Sequence, residues 1–359
     1  MIITKLDANI VEDNSTKIKA LVYLTDFAFM DKICNRVKIV DKFSLINAVG
    51  IEGNKNEILT LTYLPYVKYV SSVAKVYSLG NFEQDTMDKY ANIMNNFFST
   101  SDYSGRGLGV AVIDTGVNRH VDLCCVNNRI ILQKDLENNN DYPYDDNGHG
   151  TFVAGIVSGN GVGSAKKIMG VCPNANVISV KIMNENGESD VFKALSGMEW
   201  VSKNYEKYNI KVAVMSFGAV PQTVNDPLVN GVEALVEKGI TVVCASGNSG
   251  ANTYMSPAVS SKVISVGAVD ENQKIAEFTS RGIYEGKNYP YVYARGVKVV
   301  GLSNKGGYAL MSGTSVACPI VAGFCLLLRE KFPDYSPEKI KDTILQYCKF
   351  KDNIYCLDI

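Results

Sequence analysis

From Gly109 onward, short apolar stretches alternate with stretches whose apolar residues recur at helical spacing. The apolar stretches include GVAVID at 109–114, NVISVKIM at 176–183, VAVMSFG at 212–218 and ITVVCASG at 240–247. Strands that are apolar on both faces occur in parallel sheets that helices cover on both sides. The pattern therefore predicts a three-layer α/β domain with a mainly parallel central sheet. Functional residues of such domains gather at the carboxyl ends of the strands.

The first 78 residues follow a different pattern. Strand-like and helical stretches alternate there in the order βαββαβ, which is typical of a small, ferredoxin-like α+β unit with two helices on one face of an antiparallel sheet. The second helix is expected to begin at Asn54 or Asn56 and to end before Pro65. Between residues 79 and 108, methionines and aromatic residues at helical spacing indicate a linker with one packing helix. The predicted divisions are therefore 1–78, 79–108 and 109–359.

Composition excludes several classes of protein. Charged residues make up 20% of the chain and its formal net charge is -1, so nothing indicates a nucleic-acid surface. The N-terminus lacks the basic start and apolar run of a secretory signal, and no stretch reaches the roughly 18 apolar residues of a membrane span. We therefore expect a cytoplasmic protein with neither nucleic acid nor a membrane as partner. Export by a route without a cleaved signal is the alternative.

The chain has nine cysteines, and most lie inside apolar stretches such as VVCASG and GFCLLL. The number is odd, and no pair has a spacing typical of zinc ligands. Buried, reduced thiols are therefore expected rather than a disulfide framework. A redox role of the adjacent Cys124 and Cys125 is the alternative.

Three short motifs lie at predicted strand ends or helix starts. Asp114 ends the strand GVAVID, His149 enters a helix in NGHGTFVAGI, and Ser315 begins a helix in GTSVACPIVAG. Taken singly, each is explained by a structural role: a turn former, a buried histidine and a helix cap. Taken together, they are the carboxylate, imidazole and hydroxyl that nucleophilic acyl transfer requires. The other histidine, His120, is the alternative base, but it lies in a loop that leads away from the motif.

The order Asp, His, Ser, with the phrases DTGV, GHGTFVAG and GTSVACPIVAG, resembles the subtilisin-like serine proteases, the subtilase family S8. The resemblance spans roughly residues 105–337. It implies a subtilisin-like fold and a serine endopeptidase that works through an acyl-enzyme at Ser315, with His149 as base and Asp114 orienting it. It also implies that the Asn248 amide stabilises the oxyanion beside the Ser315 backbone N–H. No cofactor is expected for this chemistry.

The resemblance also implies how a peptide or protein substrate binds. An extended substrate is expected to pair as an added strand with one edge segment, while a second segment forms the opposite wall of the pocket for the residue before the cleaved bond. The residues expected in these two walls are Ser216, Phe217, Gly218, Ala245, Ser246 and Gly247. Met255 matches the base of that pocket, where glycine is usual in the family. A shallower pocket, or one shaped for a small or flexible side chain, is therefore predicted.

One departure from the family concerns calcium. Asp122 matches a carboxylate that often binds a structural calcium ion, but the companion loop carries Lys166 and Lys167. Ammonium groups disfavour a divalent cation, so no metal is assigned and Asp122 is only a weak calcium candidate. The acidic stretch DYPYDDNG at 141–148 is interpreted as a solvated loop.

The βαββαβ unit ahead of this domain resembles the family's inhibitory propeptide, which assists folding and then occupies the cleft. Its extended tail, VAKVYSLG at 73–80, leads directly into the change of composition. We therefore predict a zymogen that cleaves itself between residues 75 and 82, with residues 1–78 as its noncovalent inhibitor and the helix in 79–108 at the start of the mature enzyme. The alternative for this unit is a permanent packing domain. For the whole chain, the alternatives are a relative that binds peptides without cutting them and a peptide ligase.

Overall fold

The computed structural model describes residues 5–13, 15–83, 103–222 and 225–358, so most of the helix predicted within 79–108 lies outside the described residues. The N-terminal unit comprises α1 (Ala8–Glu12), β1 (Ile18–Leu24), α2 (Met30–Cys34), β2 (Lys38–Phe43), β3 (Ala48–Gly53), α3 (Lys55–Leu61) and β4 (Val67–Ser72). Its sheet has the order β2-β3-β1-β4 with antiparallel neighbours. After α1, this is the predicted βαββαβ order.

Helix α3 begins at the first of the two predicted caps. Asn54 Oδ1 accepts a hydrogen bond from Glu57 N at 3.0 Å, and the Glu57 carboxylate accepts one from Asn54 N at 2.8 Å. This capping box satisfies two backbone donors at the helix start. The helix ends at Leu61, before Pro65.

The next elements are β5 (Lys75–Ser78) and β6 (Asn81–Phe82), which connect the N-terminal unit to the larger domain. The strands of that domain are β7 (Gly109–Asp114), β8 (Ile130–Asp135), β9 (Asn176–Lys181), β10 (Glu188–Asp190), β11 (Ile210–Met215), β12 (Phe217–Gly218), β13 (Thr241–Ala245), β14 (Ile264–Val269), β15 (Gly282–Tyr284), β16 (Lys287–Tyr289), β17 (Val292–Arg295), β18 (Val299–Leu302), β19 (Tyr308–Ser312), β20 (Cys348–Lys351) and β21 (Ile354–Leu357). Its helices are α4 (Val121–Cys124), α5 (His149–Ser158), α6 (Val191–Asn204), α7 (Pro227–Glu237), α8 (Thr314–Lys331) and α9 (Pro337–Ile344).

Nine of these strands form one sheet in the order β20-β21-β17-β14-β13-β11-β7-β9-β8. All neighbouring pairs are parallel except the hairpin of β20 and β21. Helices α5 and α8 cover one face, and α6 and α7 cover the other. In β7, Val110 and Val112 face the first layer, while Ala111 and Ile113 face the second. Burial on both faces explains why the strand is apolar throughout and confirms the predicted three-layer α/β fold.

The N-terminal sheet packs its open face against α6 and α7. In β1, Ala20, Val22 and Leu24 lie in the unit's own core, whereas Leu21 and Tyr23 join the cluster formed by α6 and α7. Both faces of this small sheet are therefore buried, one under its own helices and the other against the larger domain.

Two chain-wide features complete the description. Among the described residues, no helix has both the length and the apolar character needed to cross a membrane. All nine cysteines are free thiols. Cys34 and Cys125 are exposed, so the expectation of burial is wrong for these two.

Phe192 on α6 makes an aromatic contact between the two units. Its ring centroid lies 5.7 Å from that of Phe43, and an ideal Cβ placed on Gly50 would lie 3.0 Å from the ring. We expect Phe192→Ala to lower the free energy of unfolding by about 3 kcal/mol, since it leaves a cavity between the units. Urea denaturation followed by circular dichroism measures this. The control Phe350→Ala removes an exposed ring and should change stability by less than about 0.5 kcal/mol; equal effects of the two variants would contradict the expectation.

Candidate active site

Three element ends bring Asp114, His149 and Ser315 to one edge of the large sheet. Asp114 is the last residue of β7, His149 is the first of α5, and Ser315 is the second of α8. They are 1%, 2% and 0% exposed, respectively. Gly148 enters α5 with a φ of 108°, which favours glycine, and an ideal Cβ on Gly150 would lie 2.1 Å from a backbone oxygen. The glycines flanking His149 are therefore required by backbone geometry.

The imidazole of His149 is held by Asp114. His149 Nδ1 lies 2.7 Å from Asp114 Oδ1, which also accepts a hydrogen bond from Thr115 N at 2.7 Å. Burial opposes a charged ring, but the charge of Asp114, the hydrogen bond to it and the charge of Asp145 outweigh that penalty, so the pKa of His149 is raised. His149 Nε2 is buried without a hydrogen-bond partner in the described part of the chain. It is the ring atom left to exchange a proton.

Asp145 fixes the loop that leads into α5. One carboxylate oxygen accepts hydrogen bonds from Thr115 Oγ1 at 2.9 Å and Gly148 N at 2.8 Å, and the other accepts from Thr151 N and Oγ1 at 2.9 and 2.7 Å. Desolvation raises the pKa of Asp145, although these hydrogen bonds act in the opposite direction. Asp145 is 5% exposed, so the interpretation of 141–148 as a solvated loop is wrong at this residue.

Lys181 joins the loop after Asp114 to the loop before α5. It ends β9 directly beside Asp114 and is fully buried. Its Nζ donates to Thr115 O at 2.6 Å, to Met183 O at 2.7 Å and to the Asp146 carboxylate at 2.7 Å. A buried ammonium group is tolerated because all three of its protons have acceptors. Sequence reasoning missed this residue; its one signal is a lysine inside the apolar stretch NVISVKIM.

The chain's own segment at 75–83 lies across this site. Strand β5 is the middle strand of a three-stranded antiparallel sheet, between β10 and β12. Ser78 is paired with Phe217 and Tyr77 with Gly218. The next residue, Leu79, donates its N–H to Ser216 O at 3.1 Å. The edge segment predicted to pair with an extended peptide therefore pairs with part of this same chain.

The carbonyl group of Leu79 lies at Ser315. Leu79 O accepts a hydrogen bond from Asn248 Nδ2 at 2.7 Å and another from Ser315 N at 3.3 Å. Thr314 N and Oγ1 donate to Asn248 Oδ1 at 3.0 and 2.9 Å, which fixes the orientation of the amide. Two donors that converge on one carbonyl oxygen have the geometry of an oxyanion hole.

Gly80, the next residue, lies against the nucleophile. An ideal Cβ on Gly80 would lie 2.5 Å from Ser315 Oγ, 2.7 Å from Met311 Cε and 3.1 Å from His149 Cδ2. The serine hydroxyl and the imidazole therefore face the same point of the chain. Ser315 Oγ is buried and, within the described ranges, makes no hydrogen bond. This arrangement is suited to acyl transfer at the Leu79–Gly80 peptide bond.

The side chain of Leu79 lies beside Met255. An ideal Cβ on Gly218 would lie 3.3 Å from Leu79 Cδ1 and 3.2 Å from Met255 Cβ, and one on Gly247 would lie 2.4 Å from Met255 Cγ. Met255 therefore occupies space between the two predicted walls, next to the residue that precedes the Leu79–Gly80 bond. Two further predicted wall residues are fully buried: Ala245 and Ser246.

Residues after Gly80 follow β19 as an antiparallel strand. The paired residues are Asn81 with Ser312, Phe82 with Met311, and Glu83, whose N–H donates to Leu310 O at 2.7 Å. Met311 is buried with its methyl group toward Gly80. Sequence reasoning missed Met311, which has no signal beyond its position four residues before Ser315.

Asp122 and His120 have structural partners. Asp122 Oδ1 accepts a hydrogen bond from Gly163 N at 2.5 Å, and Oδ2 accepts one from the Tyr308 hydroxyl at 2.7 Å. His120 Nδ1 accepts from Asp122 N at 3.0 Å, and its Nε2 lies 2.8 Å from Gly307 O. In the described ranges, no group of three or more His, Cys, Asp or Glu side chains is arranged to hold a metal ion. Both carboxylate oxygens of Asp122 therefore accept hydrogen bonds from the protein, and His120 has no nitrogen left to act as a base.

Known proteins resemble this chain over most of its length. The profile of the Subtilase family matches residues 105–353. The chain is 34% identical over 358 residues to serine protease AprX of Bacillus subtilis (strain 168), covering 89% of this chain and 79% of that protein. It is 29% identical over 310 residues to an alkaline protease of Alkalihalobacillus alcalophilus, covering 86% and 76%. A cold-adapted subtilisin-like serine proteinase of known crystal structure is 26% identical, with a TM-score of 0.62 and coverage of 72% of this chain and 91% of that one. The chain belongs to the subtilase family of serine proteases.

Proposed function

We propose that this serine endopeptidase is made as a zymogen, which cleaves its own Leu79–Gly80 bond through an acyl-enzyme at Ser315. One observation carries the proposal: Leu79 O accepts hydrogen bonds from Asn248 Nδ2 and Ser315 N, while Gly80 lies against Ser315 Oγ. A peptide bond held in this way is presented as a substrate. The bond lies within the range 75–82 expected from the sequence, and the unit to be released accordingly ends at Leu79 rather than at residue 78.

In the proposed reaction, Ser315 Oγ attacks the carbonyl carbon of Leu79 as His149 Nε2 takes the hydroxyl proton. Asp114 holds the Nδ1–H and stabilises the imidazolium ion, while Asn248 and the Ser315 N–H stabilise the oxyanion. The bond from the carbonyl carbon to Gly80 N then breaks, and His149 returns the proton to that nitrogen. Water, activated by His149, hydrolyses the ester between Leu79 and Ser315. The products are a carboxylate at Leu79 and an amino terminus at Gly80.

The N-terminal unit is proposed to remain bound as an inhibitor after this cleavage. Strand β5 is hydrogen-bonded along both edges and Val76 is fully buried. At the opposite end of the interface, Glu199 on α6 accepts hydrogen bonds from Leu45 N at 2.7 Å and from Ser44 Oγ. None of these contacts involves the bond that is cut, so cleavage leaves them in place.

Self-cleavage is tested by N-terminal sequencing of the purified chain and of Ser315→Ala. We expect the original chain to yield a new amino terminus at Gly80 and Ser315→Ala to stay whole, because loss of the nucleophile of such a triad costs about a million-fold in rate. Ser261→Ala, at an exposed serine next to α9, is the matched control and should be processed normally. Equal processing of Ser315→Ala would exclude self-cleavage. Protein freed of the N-terminal unit whose Ser315 stays unlabelled by a fluorophosphonate would favour a protein that only binds peptides.

Asn248→Ala should slow self-cleavage about 100- to 1000-fold, because one of the two oxyanion donors is lost. The side chain also accepts hydrogen bonds from Thr314, so a structural role must be separated from the catalytic one. Asn248→Asp keeps these acceptor contacts and lacks the donor. Quenched time courses on denaturing gels measure both rates, and near-normal processing of Asn248→Asp would contradict the assigned role.

The rate of self-cleavage should rise with pH through a pKa above the ordinary value of about 6.5 for histidine, because only neutral His149 accepts the serine proton. Asp114 raises the pKa of His149, whereas burial lowers it. Asp114→Asn should therefore shift this rise to lower pH and also slow the reaction, since the ring is no longer held in the required tautomer. Processing rates between about pH 5 and 9 test the direction; an unchanged midpoint in Asp114→Asn would contradict it.

A further inference from the structure

We infer that Asn304 is a positioning residue for the triad, because it fixes the loop that leads to His149 relative to the hairpin that leads to Ser315. The inference rests on the proposed roles of His149 and Ser315, but it does not depend on cleavage at Leu79–Gly80. Asn304 lies in the turn between β18 and β19.

The two reacting side chains do not hold each other in place. His149 Nε2 and Ser315 Oγ are both buried, and neither has a hydrogen-bond partner among the residues that the structure describes. Their separation therefore depends on how the start of α5 is held relative to the start of α8. A misplacement of a reacting group by about 1 Å can cost about 100-fold in rate, so contacts that set this separation affect catalysis.

The hairpin of β18 and β19 contacts α5 and leads into α8. Gly313 alone separates the end of β19 from the first residue of α8. An ideal Cβ on Gly155 of α5 would lie 2.3 Å from Leu302 Cγ, and one on Gly301 would lie 2.7 Å from the ring of Phe152. The absence of side chains at these two glycines lets β18 pack closely on the body of α5.

Asn304 extends this contact to the loop before the helix. Its Nδ2 donates a hydrogen bond to Asp145 O at 2.8 Å. An ideal Cβ on Gly148 would lie 2.9 Å from Asn304 Oδ1, so the amide also packs against the residue that precedes His149. The Asn304 carbonyl accepts a hydrogen bond from Asn118 Nδ2 at 2.5 Å, which fixes the backbone of the turn. One amide therefore contacts both ends of the loop before α5.

Lys181 holds the same loop from the side of the sheet. Its Nζ donates to the Asp146 carboxylate and to Thr115 O, which fixes the loop relative to the end of β7. The two side chains therefore have different roles. Lys181 sets the loop against the central sheet, whereas Asn304 sets it against the hairpin that leads to Ser315.

The first experiment follows self-cleavage of the whole chain after refolding from urea. Each molecule cuts itself once, so the time course gives both a rate constant and a final fraction cut. Asn304→Ala should lower the rate constant by at least about 10-fold and leave the final fraction unchanged. A purely structural role would instead lower the final fraction, because fewer molecules would fold.

Two further variants separate the amide from the turn that carries it. Lys305→Ala changes the next residue of the same turn, which is exposed, and should cut itself at the original rate. Asn304→Asp has nearly the same size, but a carboxylate cannot donate to Asp145 O, so this variant should also be slow. It decides the result if Asn304→Ala does not fold. A normal rate constant in either Asn304 variant, or an equal loss in Lys305→Ala, would overturn the inference.

The second experiment uses the purified chains with the p-nitroanilide of Val-Tyr-Ser-Leu, the sequence of residues 76–79. This substrate has no residue after the cleaved bond that can pair with β19, so an effect of Asn304 on its hydrolysis must reach the triad. In Asn304→Ala, kcat should fall by at least about 10-fold while KM stays the same. An unchanged kcat with a raised KM would contradict the inference.

The original chain separates failure of this inference from failure of the proposed function. A chain that stays uncut but hydrolyses the anilide, with kcat lowered in Asn304→Ala, would refute the zymogen and support the positioning role. A chain that cuts itself at the same rate with and without the Asn304 amide would support the zymogen and refute the positioning role. A chain inert toward itself and toward the anilide would refute both.

Discussion

The hydrogen bonds that β5 makes along both of its edges decide which peptide bond meets Ser315. Between β10 and β12, this strand has one register, and that register is enforced by burial. Val76 is 0% exposed whereas Tyr77 is 43% exposed. A slip by one residue would turn Val76 toward solvent and push the tyrosine into the core, because side chains alternate along a strand. The position of the Leu79 carbonyl is therefore a consequence of packing two and three residues away from it.

Four buried polar side chains around the cleft, Asp114, His149, Asp145 and Lys181, form a connected set. Asp114 holds His149, Asp145 holds the entrance of α5, and Lys181 ties the two loops together. Buried charges are costly when unpaired, so the loss of one member leaves another uncompensated. Four buried side-chain atoms at the cleft have no hydrogen-bond partner among the described residues: Asp114 Oδ2, Ser246 Oγ, Ser315 Oγ and His149 Nε2. Two of them are the serine hydroxyl and the free imidazole nitrogen. These are the two atoms between which the proposed reaction must pass a proton.

Site residues could be predicted from the sequence where their positions depend on local structure, such as the end of a strand or the start of a helix. Asp114, His149 and Ser315 lie at element ends that periodicity predicts, and the parallel sheet follows from strands such as β7 that are buried on both faces. The contribution of Lys181 depends instead on acceptors from three separate positions, which no local pattern specifies. The acidic loop at 141–148 was interpreted as solvated because its residues are polar, yet Asp145 finds its donors within the fold. Met311 and the Leu79–Gly80 bond lie beside Ser315 only because distant segments meet in the cleft.

The segment before the proposed cleavage site makes more contacts with the larger domain than the described segment after it. This difference determines which segment stays bound in the cleft after cleavage. Before the cut, β5 has hydrogen bonds on both edges, and the whole N-terminal unit adds the contacts of Phe43 with Phe192 and of Leu45 with Glu199. After the cut, the described residues make a short pairing with β19, and Phe82 is 50% exposed. Until cleavage, covalent continuity keeps that short segment at a high effective concentration. Once the bond is broken, the side before the cut keeps every contact that presented Leu79. In the proposed zymogen, full activity would then require loss of the N-terminal unit itself, because β5 would stay in the cleft for as long as the unit to which it is joined remained folded and bound to α6 and α7.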